Sequence, residues 1–252
     1  MRDGILISFE GIKGSGKSTQ IHRLAEHLHG LGFQVLTLHG PSAARRQQYR
    51  ESQPGRSPAR LDPTAELLLE AAAHAQQTQE VILPALNAGY AVLAESFFDA
   101  AAARAWARGV DLLTISSVQA VATGGLSPNL TFVLDLDVQA AQARQINDWL
   151  AASDGEPPSA SLDTTFEQDA LRTGFLEMAL RTRPRARLTW GDSSAEKIHE
   201  QIADTVTPVV VERLKLNPSG PQPLGPDDFD GLLQATLALN GRFEPARPVQ
   251  TH

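Results

Sequence analysis

The sequence predicts an α/β fold of three layers, in which a five-stranded parallel sheet carries helices on both faces. Three observations predict it. Short runs rich in Val, Ile, Leu and Phe recur along the 252 residues, each bounded by turn residues. Longer stretches with helical spacing of their apolar positions separate those runs. A glycine-rich octapeptide, Gly11-Ile12-Lys13-Gly14-Ser15-Gly16-Lys17-Ser18, joins the first apolar run to the first helical stretch. Strands that are apolar throughout belong to parallel sheets covered on both sides, and such sheets bind ligands beyond their carboxyl ends.

Taken in order, the strands are expected at 5–10, 34–38, 90–94, 130–135 and 186–190. Helices are expected at 18–30, 63–88, 111–122, 138–152, 163–181 and 194–214, the first with Ile21, Leu24 and Leu28 on its buried side. Three segments fall outside the repeat. Residues 41–62 are rich in Arg, Gln, Ser and Pro, and 152–162 read as a polar turn-former run, so both have loop chemistry. Residues 216–252 begin Asn217-Pro218-Ser219-Gly220-Pro221 and hold one candidate helix, 227–239, whose Phe229, Leu232, Leu233, Leu237 and Leu239 give it a face to bury. The expected organisation is therefore one domain over 1–215 and a C-terminal extension over 216–252.

Composition narrows the function classes. The chain contains no cysteine, which excludes disulfides, thiol nucleophiles and cysteine-ligated zinc. The seven histidines have no metal-ligand spacing. A net charge of -7 argues against broad nucleic-acid binding, which needs a basic surface. No apolar run approaches the roughly 18 residues of a membrane span, and Arg2-Asp3 precede the first strand where a signal peptide would be apolar. A cytoplasmic enzyme without a membrane partner is the expectation.

The octapeptide carries the chemistry. Its glycines let successive backbone N–H groups curl around a phosphate, the Lys17 ammonium can reach β and γ oxygens, and the Ser18 hydroxyl can ligate Mg²⁺. The helix behind it, opening at Lys17-Ser18-Thr19, directs its positive dipole end at the same group. The fold is thus expected to be a P-loop NTPase sandwich that binds a nucleoside triphosphate through residues 11–19. Glu95, at the end of the third strand, has three readings: a metal ligand with Ser18, a general base on an acceptor hydroxyl, or a strand-end carboxylate facing solvent.

Further landmarks carry a resemblance. Phe9-Glu10-Gly11 before the loop, Ser18-Thr19-Gln20 after it, Glu80–Leu86 with Gly89, Arg108-Gly109, Pro128-Asn129-Leu130-Thr131, Leu134-Asp135 and the Ser193–Ile202 region occur in the order of the thymidylate kinase family. Over residues 4–210 the chain resembles that family, whose fold is the nucleoside monophosphate kinase type. The resemblance implies ATP as phosphoryl donor, Mg²⁺, and an adenine-stacking arginine at Arg144. It also implies a nucleotide or nucleoside acceptor with dTMP the first candidate, a lid near 145–165, and a homodimer through helices near 63–88 and 111–122.

The departures from the family pattern gather on the acceptor side. Lys13 stands where the family has an acidic residue, so it either replaces the missing lid arginine at the γ-phosphate or points outward. Glu70 and His74 stand where the family offers an aromatic ring and an arginine to the base. Glu95-Ser96-Phe97 replace Asp-Arg-aromatic, and the alanine-rich 100–103 with Trp106 replace further polar contacts. Arg50 falls near the family's phosphate-binding arginine, within a cluster of Arg45, Arg46, Arg56 and Arg60. Arg181, Arg183, Arg185 and Arg187 read as a solvated face. The expected site is therefore Lys17, Glu95 and Lys13 for catalysis and Arg50, Glu70, His74 and Phe97 for the acceptor. The expected activity is ATP-dependent transfer to a nucleotide or nucleoside. The alternative is a catalytically weakened ATP-binding relative that regulates or docks a partner.

Overall fold

The computed structural model describes residues 4–40, 61–152 and 165–216. The arginine cluster around Arg50, most of the expected lid and the extension after 216 lie outside the described residues.

Five parallel strands form one sheet: β1 (Ile5–Glu10), β2 (Val35–His39), β3 (Ala91–Glu95), β4 (Leu130–Asp135) and β5 (Ala186–Trp190). Their spatial order is β2-β3-β1-β4-β5, so β1 is central and the chain crosses over the sheet repeatedly. The helices are α1 (Lys17–Gly30), α2 (Pro63–Gln77), α3 (Leu83–Asn87), α4 (Phe98–Ala107), α5 (Leu112–Thr123), α6 (Val138–Ala152), α7 (Thr165–Arg181) and α8 (Ala195–Leu216). No described helix is long and apolar enough to cross a membrane.

Strand alternation sorts the core into two layers. Ile5, Ile7 and Phe9 of β1, Leu93 of β3 and Phe132 of β4 pack with Leu24 and Leu28 of α1 and Ile202 and Val206 of α8. Leu6 of β1, Val92 of β3 and Val133 of β4 point the other way, onto Leu67 of α2, the alanines of α4, Ile115 of α5 and Phe175 of α7. The three inner strands β1, β3 and β4 are thus buried on both sides because each side meets a helix layer, whereas much of the edge strand β5 is exposed.

Two elements differ from expectation. The run at 63–88 is not one regular helix: a π-helical turn, Thr78–Ile82, separates α2 from α3. There the Leu83 N–H bonds back to the Thr78 carbonyl, five residues earlier, one residue before Pro84, which has no N–H to give. The helix α4 was not expected, although Ala100–Ala103 are four consecutive strong helix formers. Gly174 of α7 explains its tight seat, because a Cβ there would lie 2.4 Å from the Ala103 carbonyl oxygen.

The register brings the carboxyl ends of the strands into one row. His39 of β2 pairs with Glu95 of β3, and Glu95 in turn with Phe9 of β1, one residue before Glu10. Asp135 closes β4 on the far side. The polar ends of four strands therefore face the same edge as the loop 11–16.

Candidate active site

The loop wraps the amino end of α1 by means of its glycines. Gly11 and Gly14 have φ of 139° and 85°, and a Cβ at either would lie 2.6 Å from the Leu134 carbonyl oxygen or 2.5 Å from that of Ala141. Gly16, at φ 99°, caps α1 without a side-chain hydrogen bond. No acidic residue occupies the first turn of that helix, so its positive end and free N–H groups are left for an anion. Lys17 is almost wholly buried, and its Nζ donates to the carbonyls of Gly11 and Ile12 at 3.0 Å each. Burial lowers its pKa, against the attraction of Glu95 and Glu10.

A cleft of about 530 Å³ opens over this loop. Lys13 through Thr19, Glu95, Arg144, Ser193, Ala195 and Ile198 line it. Lys13 is exposed there. Arg144 is anchored by a bond from Nη2 to the Gly191 carbonyl at 2.8 Å. The structure thus brings together residues 13–19, Glu95 and Arg144, while the buried Ile12 contributes backbone only.

Glu95 is not a free strand-end carboxylate, because both of its oxygens have partners although 19% of the side chain is exposed. The Ser18 hydroxyl lies 3.0 Å from both of its oxygens, and the His39 ring Nδ1 lies 3.0 Å from Oε2. Burial raises its pKa, but the His39 bond, the Lys17 charge and the Ser18 bond together hold it below the ordinary value. Glu95 is therefore ionised at neutral pH.

Behind this surface lies a second, buried charge system. Glu10 is fully buried; its Oε1 accepts the Phe97 N–H at 2.8 Å and its Oε2 has no hydrogen-bond partner among the described residues. Desolvation and the nearby Asp99 push its pKa well up. Asp99 is held by Arg185 Nη2 at 2.8 Å, and Arg185 also bonds Thr131. Of the expected solvated arginine face, Arg185 is corrected here, because only 15% of its side chain is exposed, whereas Arg181, Arg183 and Arg187 are exposed as expected. Asp135 is clasped by Arg172 of α7, Nε and Nη2 at 2.5 and 2.9 Å.

Three of the residues expected at the acceptor, Glu70, His74 and Phe97, are inside the protein. Glu70 is buried and paired with Arg104 Nε at 3.4 Å, beside Glu66, which binds Arg108. His74 sits against the rings of Phe97 and Phe98, each with centroids 5.6 Å away. Its burial lowers the pKa to about 4, so the ring is neutral. Phe97 is itself 1% exposed. Arg50 lies outside the described residues.

A sequence profile of thymidylate kinase matches residues 9–182. The chain is 36% identical over 217 residues to the thymidylate kinase of Geotalea daltonii, covering 85% of this chain and all of that one. It is 37% identical over 206 residues to the thymidylate kinase of Syntrophotalea carbinolica, covering 78% and 92%. The chain belongs to the thymidylate kinase family. It is thus a nucleotide kinase, a transferase that uses ATP, built on the P-loop sandwich that the family shares.

Within this thymidylate kinase-like site, sequence reasoning missed His39, the Glu10–Asp99–Arg185 group and the Asp135–Arg172 clasp. Each depends on strand register or on partners far apart in the chain, such as Asp99 and Arg185, 86 positions apart. The available signal was the polar residue that ends each of the first four strands.

Proposed function

We propose that this kinase transfers the γ-phosphate of ATP to dTMP, with Mg²⁺, as a cytoplasmic homodimer. The observation that carries the donor half is the single cleft shared by the loop, Glu95 and Arg144. In it the loop amides and the end of α1 cradle the β and γ phosphates, and Lys17 exchanges its two loop carbonyls for phosphate oxygens. Arg144, fixed on Gly191, flanks the adenine. Lys13 reaches the γ-phosphate from the mouth of the cleft. For dTMP, the support is the relatives, whose whole length or nearly so aligns with this chain.

The donor set at the loop suits a hard divalent ion. Ser18 offers an exposed hydroxyl and Glu95 an ionised carboxylate 3.0 Å away, and Mg²⁺ takes few protein oxygens while water and phosphate complete its shell. Ser18 and Glu95 would hold it, and the bound ion would neutralise charge on the transferring group. The bonds from Ser18 and His39 favour this role for Glu95 over that of general base. On the acceptor side, Arg50 is assigned to the monophosphate, and Glu70, His74 and Phe97 to the wall behind the base.

Exposed Leu68 of α2 and Leu113 and Val121 of α5 support the dimer face. A second reading, a different acceptor or weakened transfer, is favoured by one observation. Glu70 is tied to Arg104 and His74 is enclosed by two rings, at positions where the family offers a stacking ring and an arginine to the base.

Incubation with ATP, Mg²⁺ and a panel of nucleoside monophosphates and nucleosides, read by chromatography, tests the proposal. dTDP is the expected main product, and Lys17→Ala lowers turnover by about 100- to 1000-fold. Preference for another acceptor overturns the dTMP assignment. Tight ATP binding with no product from any acceptor overturns the transferase reading in favour of the weakened one.

A further inference from the structure

His39 ends β2 and Glu95 ends β3, and the register sets the two residues side by side. The neighbouring backbone fixes that arrangement. The Gly40 N–H donates to the Glu95 carbonyl at 2.7 Å, and the Gln77 side-chain amide donates to the His39 carbonyl at 3.1 Å. From this base the His39 ring reaches the carboxylate of Glu95, Nδ1 to Oε2, at 3.0 Å. An ionised carboxylate only accepts, so Nδ1 carries the proton of this bond. On the other side the Ser18 hydroxyl lies 3.0 Å from each carboxylate oxygen. A carboxylate anchored through one oxygen keeps the other aimed, which is how outer partners orient the groups that meet a metal.

We propose that His39 is a positioning residue for the metal ion: by holding Oε2 of Glu95 it presents Oε1 to the ion, or to water bound on it, at the place Ser18 also faces. This rests on the reading of Ser18 and Glu95 as the Mg²⁺ site. His39 reaches the ion only through Glu95. Its side chain is 60% exposed, so removing it leaves no cavity in the core.

Three variants separate the geometry from the mere presence of a ring. The amide nitrogen of His39→Asn falls where Nδ1 sits, that of His39→Gln falls nearer the place of Nε2, and His39→Ala has neither. Calorimetric binding of a non-hydrolysable ATP analogue is measured across a Mg²⁺ series and in EDTA, with thermal unfolding as the control for folding. His39→Ala and His39→Gln are expected to need about tenfold more Mg²⁺ for half its effect on binding, with His39→Asn close to wild type. Binding in EDTA is expected to be the same in all four proteins. A metal-dependent wild type with an equally metal-dependent His39→Ala overturns the inference, as does His39→Asn behaving like His39→Ala. Wild-type binding that ignores Mg²⁺ overturns the metal-site reading itself, and this inference with it.

Discussion

His74 shows how one residue changes its meaning with burial. On the helix it looks like a polar group offered to a ligand, but it lies 1% exposed against Phe97 and Phe98, with Nδ1 lacking a hydrogen-bond partner among the described residues. Its pKa falls to about 4 because the charged ring would be desolvated. In the unfolded chain the same ring titrates near 6.5. Between those values the unfolded state binds a proton that the folded state refuses, so the contribution of His74 to stability is whole above pH 6.5 and declines as pH falls toward 4. Over that range the loss amounts to about 3 kcal/mol. Urea unfolding of His74→Leu is therefore expected to match or exceed wild type at pH 7 and to gain on it by about 3 kcal/mol near pH 4. A constant difference between the two proteins from pH 7 to pH 4 would refute the buried neutral ring. Glu95 is the opposite case: half-buried at the cleft, it stays charged because His39, Lys17 and Ser18 favour the carboxylate.

Among the elements, the loop and α1 act as one unit whose glycines are not equivalent. A Cβ on Gly14 would meet the Ala141 carbonyl of α6 at 2.5 Å, whereas one on Gly16 would meet nothing within 4 Å. Gly14→Ala must shift the backbone of a neighbouring helix, while Gly16→Ala bears only the strain of a left-handed φ, about 1–3 kcal/mol. Binding of an ATP analogue is accordingly expected to fall more for Gly14→Ala than for Gly16→Ala. Differential scanning calorimetry should find the larger drop in Tm in Gly14→Ala, and equal drops would argue against the contact with α6. The link between β5 and α4 is equally specific. Arg185, the residue before β5, meets Asp99 in the first turn of α4, and replacing it by Met strands a buried carboxylate close to Glu10. That change is expected to cost about 3–5 kcal/mol in chemical denaturation, and a cost below about 1 kcal/mol would mean that the pair is not a working contact.

At the scale of the whole molecule, α2 and α5 leave Leu68, Leu113 and Val121 half to four-fifths exposed, although among the described residues Phe166 and Trp190 are also exposed elsewhere. If a second copy covers this face, Leu113→Glu combined with Val121→Glu should convert a dimer into a monomer in sedimentation velocity at micromolar concentration. A wild-type monomer under the same conditions would overturn the homodimer. All five strands, most helices and the loop at 11–18 were legible because their causes are local: apolar runs, helical spacing, and glycine at strained φ. The helix α4 went unread although its alanines announced it, and the π turn before Pro84 was hidden by a periodicity that continues across it. By itself the sequence determined the layers of this protein and the half of its site that binds the triphosphate, since the phosphate loop is one contiguous segment whose chemistry travels with it. Only the tertiary structure decided that His39 holds Glu95, that Arg185 serves Asp99 rather than solvent, and that Glu70 and His74 lie inside. Those outcomes depend on register and burial, which bring together residues dozens of positions apart.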